Sequence, residues 1–450
     1  MIQPERVRYL NRKGPGQGAY VLYWMQASQR ASYNHALEQS IDFANEQRLP
    51  LVVLFSLVDN YPEANLRHYL FMLQGLRETF STLHERGIAA VALRGEPEHT
   101  VSMLADRAAV MVTDRGYTRH QQAWRALVAE RVECPVIQVE TDAIVPIEVA
   151  SAKEEYAAAT LRPRIGRVLL RYMVPLKQRD VLVKGFMPDV NSLDLSQPAE
   201  ILSSLPLDRS VPPVAEMHGG ETEARSRLRE FLETRLRDYN SLRNSPAHDV
   251  SSGLSSYLHF GQISPLEVAL KANEHGGPDT DAFLEELIVR RELALNFTYY
   301  DPNYDNPACL PAWATETLEI HSGDTRPYVY ERSALETAQT HDPYWNAAQR
   351  EMLATGRMHN YMRMYWGKKI LEWSVSPRAA FETALYLNNR WQFDGRDPNS
   401  YAGVAWCFGK HDRPWAERPV FGKVRYMNSA GLERKFDMKP YVERYGGTQA

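Results

Sequence analysis

Cysteine is scarce in this chain: Cys134, Cys309 and Cys407 are the only three among 450 residues, and they form no CxxC pair. That spacing excludes a disulfide framework and a thiolate zinc site, and it points to a reducing compartment. Long apolar runs are missing too, so no membrane-spanning helix is expected, and the opening MIQPERVRYLNRKGPGQG lacks the apolar centre of a secretion signal. The expectation is a cytoplasmic protein, or a nuclear one if the source is a eukaryote. Strong charge is also absent. A formal net charge of −4 argues against a protein that coats nucleic acid indiscriminately, but it allows a local basic face. The glycines of GPGQG (14–18) precede the first β-rich run, whereas a dinucleotide fingerprint follows its strand, so they are given no phosphate role.

What is present suggests two or three domains with a sizeable core, since 44% of the residues are hydrophobic and 24% charged. Residues 1–150 alternate β-rich runs (19–26, 49–59, 88–95, 109–116 and 135–142) with helical patterns such as HYLFMLQGLRETFSTLHERG. Apolar strands separated by helices predict a parallel sheet covered on both faces, with ligands beyond the carboxyl ends of its strands. Residues 151–220, punctuated by seven prolines from Pro163 to Pro213, read as an interdomain connector. A strong helical pattern opens at 221–244, and 221–450 is expected to be a mostly helical domain.

Three stretches of that second half could carry chemistry. Ser251, Ser252, Gly253, Leu254 and Ser255 form a hydroxyl-rich turn before a helical run, suited either to an anion or to ordinary helix capping. FLEELIVRRELALNFTYY (283–300) crowds Glu285, Glu286, Arg290 and Arg291 onto one helix. Glu286 and Arg290 stand at i, i+4, the spacing of a plain surface ion pair. The third stretch, Met358 to Met427, holds five of the nine tryptophans. Trp366 and Trp373 are seven apart, two helical turns or about 10 Å, and so share a face. Two core indoles are the ordinary reading of such a pair. Asn388, Arg363 and Asp394 nearby are poor core residues unless paired. Residues 405–435 carry seven Lys and Arg against three carboxylates, which on composition alone is a solvated loop or a basic face.

Together, YLHFGQISP, EELIVRREL, RMYWGKKILEW, LNNRWQFDGRDPNSYAGVAW and HDRPW, in this order behind an α/β half, resemble the DNA photolyase/cryptochrome family, and most closely its class II cyclobutane pyrimidine dimer photolyases. The resemblance implies a Rossmann-like antenna domain and a helical domain that binds FAD, reduced in the active form. It implies light-driven repair of cyclobutane dimers in DNA by a protein that is monomeric and not membrane-bound. An antenna chromophore, deazaflavin or folate, is left open. Carried across residue by residue, Tyr239 and Ser251 to Ser255 correspond to flavin contacts. Arg363 and Asp394 form an ion pair beside the flavin ring, and Asn388 faces its central nitrogen. Trp366, Trp345 and Trp373, in that order, conduct electrons. Glu286, Arg243, Asn244 and Trp406 correspond to lesion contacts, and Arg413, Trp415 and Arg425 to positions that enter the hole left by a flipped dimer. Where many relatives have a second lesion-stacking tryptophan, this chain has Val289 and Arg290. The readings weighed against repair are a cryptochrome-type blue-light receptor, a dark flavin oxidoreductase, and repair of six-four photoproducts. The first fits less well with only some 23 residues after Met427. The second lacks a dinucleotide fingerprint, and the third lacks a His pair at the matched positions.

Overall fold

All five β-rich runs of the first 150 residues form strands, their ends shifted by one to three residues. The computed structural model describes residues 2–14 and 16–447. The strands are β2 (Tyr20–Met25), β3 (Leu51–Leu57), β4 (Ala89–Arg94), β5 (Ala108–Asp114) and β6 (Val136–Val139). A short strand, β1 (Val7–Tyr9), was not expected; it pairs antiparallel with β6 at the edge. The order is β1-β6-β5-β2-β3-β4, and every other pairing is parallel. Helices α1 (His35–Gln47), α2 (Leu66–Glu85), α3 (Pro97–Ala105) and α4 (Arg119–Arg131) cross between strands. β2, β3 and β5 are buried at every position because both faces are covered, and this is why they read as unbroken apolar runs. Gly18 has a packing role: a Cβ there would meet the Ala109 backbone nitrogen at 2.1 Å.

By packing, the chain divides into two units whose borders differ from those expected. The first comprises Met1–Ala152, Arg164–Glu230 and Gly253–Gly276; the second comprises Lys153–Pro163, Phe231–Ser252 and Gly277–Ala450. Most of the proline-punctuated stretch therefore belongs with the sheet. Leu193 N donates to Ala92 O at 2.8 Å, and Arg67 Nε donates to Pro212 O at 2.9 Å. The expected helix over 221–244 is broken. An α-helix, Glu221–Glu230, gives way to a π-turn at Phe231–Arg235 and a 3-10 turn at Leu236–Asp238, before one further turn, Tyr239–Leu242. Amphipathic spacing persists through such changes of winding, so periodicity does not reveal them.

The second unit is helical. Its longest element, α5, runs without interruption through Thr280–Leu284, Glu285–Arg290 and Arg291–Tyr300, the middle piece being a π-turn. Then come α6 (Pro343–Thr355), α7 (Asn360–Trp373), α8 (Pro377–Trp391) and α9 (Pro398–Cys407). Three of them begin alike, with proline in the first turn and a side-chain cap before it. Asp342 accepts from the Trp345 backbone N–H at 3.0 Å, Ser376 from Ala379 at 3.2 Å and Asp397 from Asn399 at 2.8 Å. Gly356 ends α6 in the left-handed conformation and turns the chain back into α7. No helix among the described residues is long and apolar enough to cross a membrane.

Candidate functional site

The turn at Gly356 lays α7 against the start of α6 and brings three indoles together. The Trp345 and Trp366 rings are stacked, with centroids 6.4 Å apart and planes 6° from parallel. Trp373 meets Trp345 edge-on at 5.7 Å and 65°. Trp345 is therefore the middle member, and the shared face expected of Trp366 and Trp373 is the face it covers. All three are essentially inaccessible, yet both inner N–H groups are satisfied. Trp345 Nε1 donates to Trp366 O at 3.0 Å, and Trp366 Nε1 donates to Gln349 Oε1 at 2.8 Å.

Beyond the C-terminus of α8 lies a polar cluster. Arg363 Nη2 is 3.2 Å from Asp394 Oδ2, and both side chains are largely buried. Asn388 is wholly buried, and its Oδ1 accepts from Gln392 Nε2 at 3.0 Å. Gln392 also accepts from Arg363 and so ties Asn388 to the ion pair. The expectation that Asn388 and Asp394 need partners is met within the protein. Arg363 Nε, by contrast, is buried with no acceptor among the described residues, leaving a donor for a bound group.

A second cluster joins Tyr239, Arg243 and Glu286. Glu286 Oε1 is 2.6 Å from Arg243 Nη1, and each side chain is about one-third exposed (32% and 28%). The Arg243 guanidinium lies 5.6 Å over the Tyr239 ring. Desolvation and the Glu286 carboxylate push the Tyr239 phenol up to about 12, so it remains a hydrogen-bond donor near neutrality. The ion pair expected between Glu286 and Arg290 does not form. The π-turn widens the helix so that residues five apart align. Arg290 then faces Glu285, at 3.5 Å, which also binds Arg162 at 2.7 Å, and Glu286 is left to Arg243.

The remaining expected positions are more dispersed. Ser251 accepts from Arg357 Nη2 at 3.0 Å and donates to Asp249 Oδ1 at 2.9 Å. Ser251 and Ser252 belong to the helical unit, whereas Gly253, Leu254 and Ser255 belong to the sheet unit, where Gly253 adopts φ +70° and Leu254 is buried. Asn244 is exposed at the end of its short helix. Trp406, half-buried on α9, lies 5.6 Å from the Arg425 guanidinium. Arg425 is also 5.0 Å from the Trp415 ring, which Arg413 approaches at 5.4 Å from the loop. Trp415 is 41% exposed, unusual for an indole without a partner surface.

A deoxyribodipyrimidine photo-lyase of Methanothermobacter thermautotrophicus is 51% identical to this chain, across 99% of both. The chain belongs to the DNA photolyase family. A photo-lyase of Oryza sativa subsp. japonica is 40% identical, over 97% of this chain and 89% of its own. The DNA photolyase family model matches residues 21–180. Among solved structures, an archaeal photolyase from Sulfolobus tokodaii with two FAD molecules shares the fold, with a TM-score of 0.72 at 16% identity over 94% of this chain and 89% of that one.

Several side chains around these clusters escaped the sequence reading. Gln392 and Arg357 have only their positions to recommend them, beside an Asn–Asn pair and just after a helix-ending glycine. Lys368 is fully buried, donates to Cys407 O at 2.5 Å and lies 5.7 Å from the Trp406 ring. Burial lowers its pKa to about 8. A tandem lysine inside an aromatic helix was its only signal.

His321 was also missed, and it clasps the loop that carries Trp415. Its Nε2 is 2.9 Å from Glu417 and its Nδ1 2.6 Å from Asp324, which also accepts from the Val420 N–H at 2.8 Å. Hydrogen bonds to Glu417 and then Asp324 raise the imidazole above its ordinary pKa. The imidazolium clasp is therefore complete below the unfolded value of about 6.5 and is lost as pH rises through the raised folded one. Hydrogen-exchange protection of the 415–423 amides, corrected for intrinsic rates, is expected to fall severalfold between about pH 6 and about pH 8. In His321→Ala protection should be low and flat with pH; an undiminished pH dependence in that variant would remove His321 from the clasp.

Proposed function

We propose that this protein repairs cyclobutane pyrimidine dimers in DNA under near-UV or blue light, with FAD as its cofactor, in the manner of class II enzymes. The observation that carries the reading is the pairing, within one helical unit, of a buried three-indole relay with an exposed face of arginines and a solvent-facing tryptophan. A buried relay serves electron transfer, and an exposed cationic aromatic face serves nucleic acid. Tyr239, the Ser251–Arg357 pair, Arg363, Asn388 and Asp394 are the residues that would hold FAD, and the unpartnered Arg363 Nε fits a group rich in acceptors. When bound, reduced and excited, FAD supplies the electron that opens the cyclobutane ring and takes it back afterwards.

The protein's own side chains do the rest. Arg363, balanced by Asp394, would set a permanent positive charge where a reduced flavin would need it. Trp366, Trp345 and Trp373 return the cofactor to its reduced state after oxidation. Arg243 and Glu286 offer a donor and a hydrogen-bonding carboxyl to the dimer's carbonyl edge, and Trp406 offers it a flat apolar wall. Arg413, Trp415 and Arg425 occupy the space from which the dimer has left. A deazaflavin or folate antenna in the sheet unit is part of the same reading. In parallel sheets such ligands lie beyond the carboxyl ends of the strands where the order reverses, here between β2 and β5.

The test is direct. Purified protein with its flavin reduced should remove dimers from irradiated oligothymidylate in blue light and leave them intact in the dark. Dimers that survive illumination with fully reduced flavin would overturn the proposal.

A further inference from the structure

The segment 405–435 holds seven cations, and among the described residues only Lys410 of these is ion-paired, to Glu154 at 2.6 Å and Asp301 at 3.2 Å. Among the described residues no carboxylate pairs with Arg413, Arg418, Lys423, Arg425, Arg434 or Lys435. The three acids of the segment are engaged elsewhere. Glu417 goes to His321, Glu433 accepts from Tyr344 Oη at 2.8 Å, and Asp412 accepts from the Arg413 backbone N–H at 2.8 Å and from Trp415 Nε1 at 3.3 Å.

Four of these free cations, Arg418, Arg425, Arg434 and Lys435, line one half-open pocket of about 320 Å³ together with Tyr361 and Trp415, and no acid is among its walls. Three of the cations are held by aromatic rings, Arg425 by Trp415 and Trp406 as described above. Arg418 lies 5.2 Å over Tyr426, and Lys435 Nζ donates to Tyr361 Oη at 3.1 Å while sitting 5.6 Å from that ring. Stacked cations lose less freedom on binding, so such a pocket is prepared for an anion. Trp415 and Arg425 form part of the wall, whereas Trp406, Arg243 and Glu286 form none.

We propose that this pocket seats a backbone phosphodiester of the undamaged strand, opposite the dimer. The inference rests on the repair reading above. A tryptophan that fills the hole left by a flipped dimer stands between the two strands, with the dimer-carrying strand on the side of Trp406. Arg425 bridges the two tryptophans, whereas Arg418, Arg434 and Lys435 line a pocket that Trp415 borders and Trp406 does not, and these then meet the partner strand. Four unpaired charges around a volume of this size suit one sugar–phosphate unit and its neighbours, and the absence of carboxylates removes the repulsion that would reject it. The pocket thereby favours duplex over single-stranded substrate, with no demand on base sequence.

The experiment compares wild type with Arg434→Ala/Lys435→Ala on two probes: a short duplex carrying one thymine dimer, and the dimer-carrying strand alone. Affinity is measured across a range of salt concentrations. The double variant should bind the duplex about tenfold more weakly near physiological salt, with the slope of log affinity against log salt reduced by roughly one to two. Its affinity for the single strand should move by less than about twofold. Equal losses on both probes, or an unchanged duplex affinity and slope, would overturn the proposal. Lys435→Gln alone, with a wild-type melting temperature, should show the same duplex-selective loss at smaller size, which separates the effect from misfolding. Light-driven repair of the single strand by the same preparations reports the underlying function separately. Were no preparation to repair it, the repair reading would fall, while the duplex salt slope would still decide whether the pocket holds a phosphate.

Discussion

Changing Trp366 to Phe leaves the oxidised flavin of the purified protein almost unreduced by blue light in the presence of a thiol reductant. Phenylalanine keeps most of the packing volume but is far harder to oxidise than indole, so the ring that stacks on Trp345 no longer conducts. Photoreduction should slow by about tenfold or more, since even 1.4 kcal/mol added to the barrier gives that factor. Repair by protein whose flavin has been reduced chemically should stay near wild type, because that electron does not pass through tryptophan. The split between the two assays is what matters. A purely structural Trp366 would lower both through lost flavin, whereas a carrier affects only the first. Normal photoreduction with wild-type flavin content would remove Trp366 from the relay.

Truncating Glu286 should have the opposite signature. Its carboxylate meets Arg243 at 2.6 Å in a partly open cluster, and in the proposed repair it exchanges that partner for the dimer. Glu286→Ala removes a hydrogen-bonding group at the reacting ring and leaves the Arg243 charge uncompensated. Repair per absorbed photon is expected to fall about three- to tenfold, in line with a hydrogen bond worth roughly 1 kcal/mol. Glu286→Gln should cost less, because it keeps a hydrogen-bonding group of the same shape there, and flavin content and photoreduction should be unaltered in both. If the alanine variant repaired as efficiently as wild type at saturating substrate, Glu286 would be no more than the surface partner of Arg243.

Some of this was legible from the residues alone, for physical reasons that differ from place to place. The strands β2 to β6 announced themselves because full burial on both faces demands unbroken apolar runs, whereas β1 has three residues, two of them exposed on the sheet's edge. The Trp366–Trp373 face followed from helix geometry. Trp345 did not, because its contact crosses between helices and depends on how tightly the Gly356 turn closes. Asn388 and Asp394 were visible as polar groups in need of partners. The Arg363–Asp394 pair came only with the family resemblance, since it joins α7 to the chain after α8, and Asn388–Gln392 is an i, i+4 contact at the end of α8. The break in the 221–244 helix and the repairing of Glu286 both come from π-turns, whose composition is that of any helix. Lys368 and His321 draw their importance from neighbours distant in sequence, Cys407 and Glu417.

The widened turn in α5 can also be regarded as a shim. One surplus residue within Glu285–Arg290 turns the helix by roughly 100° relative to its continuation, and that rotation selects which of two adjacent glutamates meets Arg243. Identity at positions 285 and 286 is the same, so what distinguishes the glutamate that meets Arg243 from its neighbour is chain length. Shortening the helix by one apolar residue between Leu287 and Val289 would keep every polar side chain of the cluster, yet it would turn Glu286 away. A single-codon deletion or insertion in this region, without one substitution, would change which glutamate Arg243 meets.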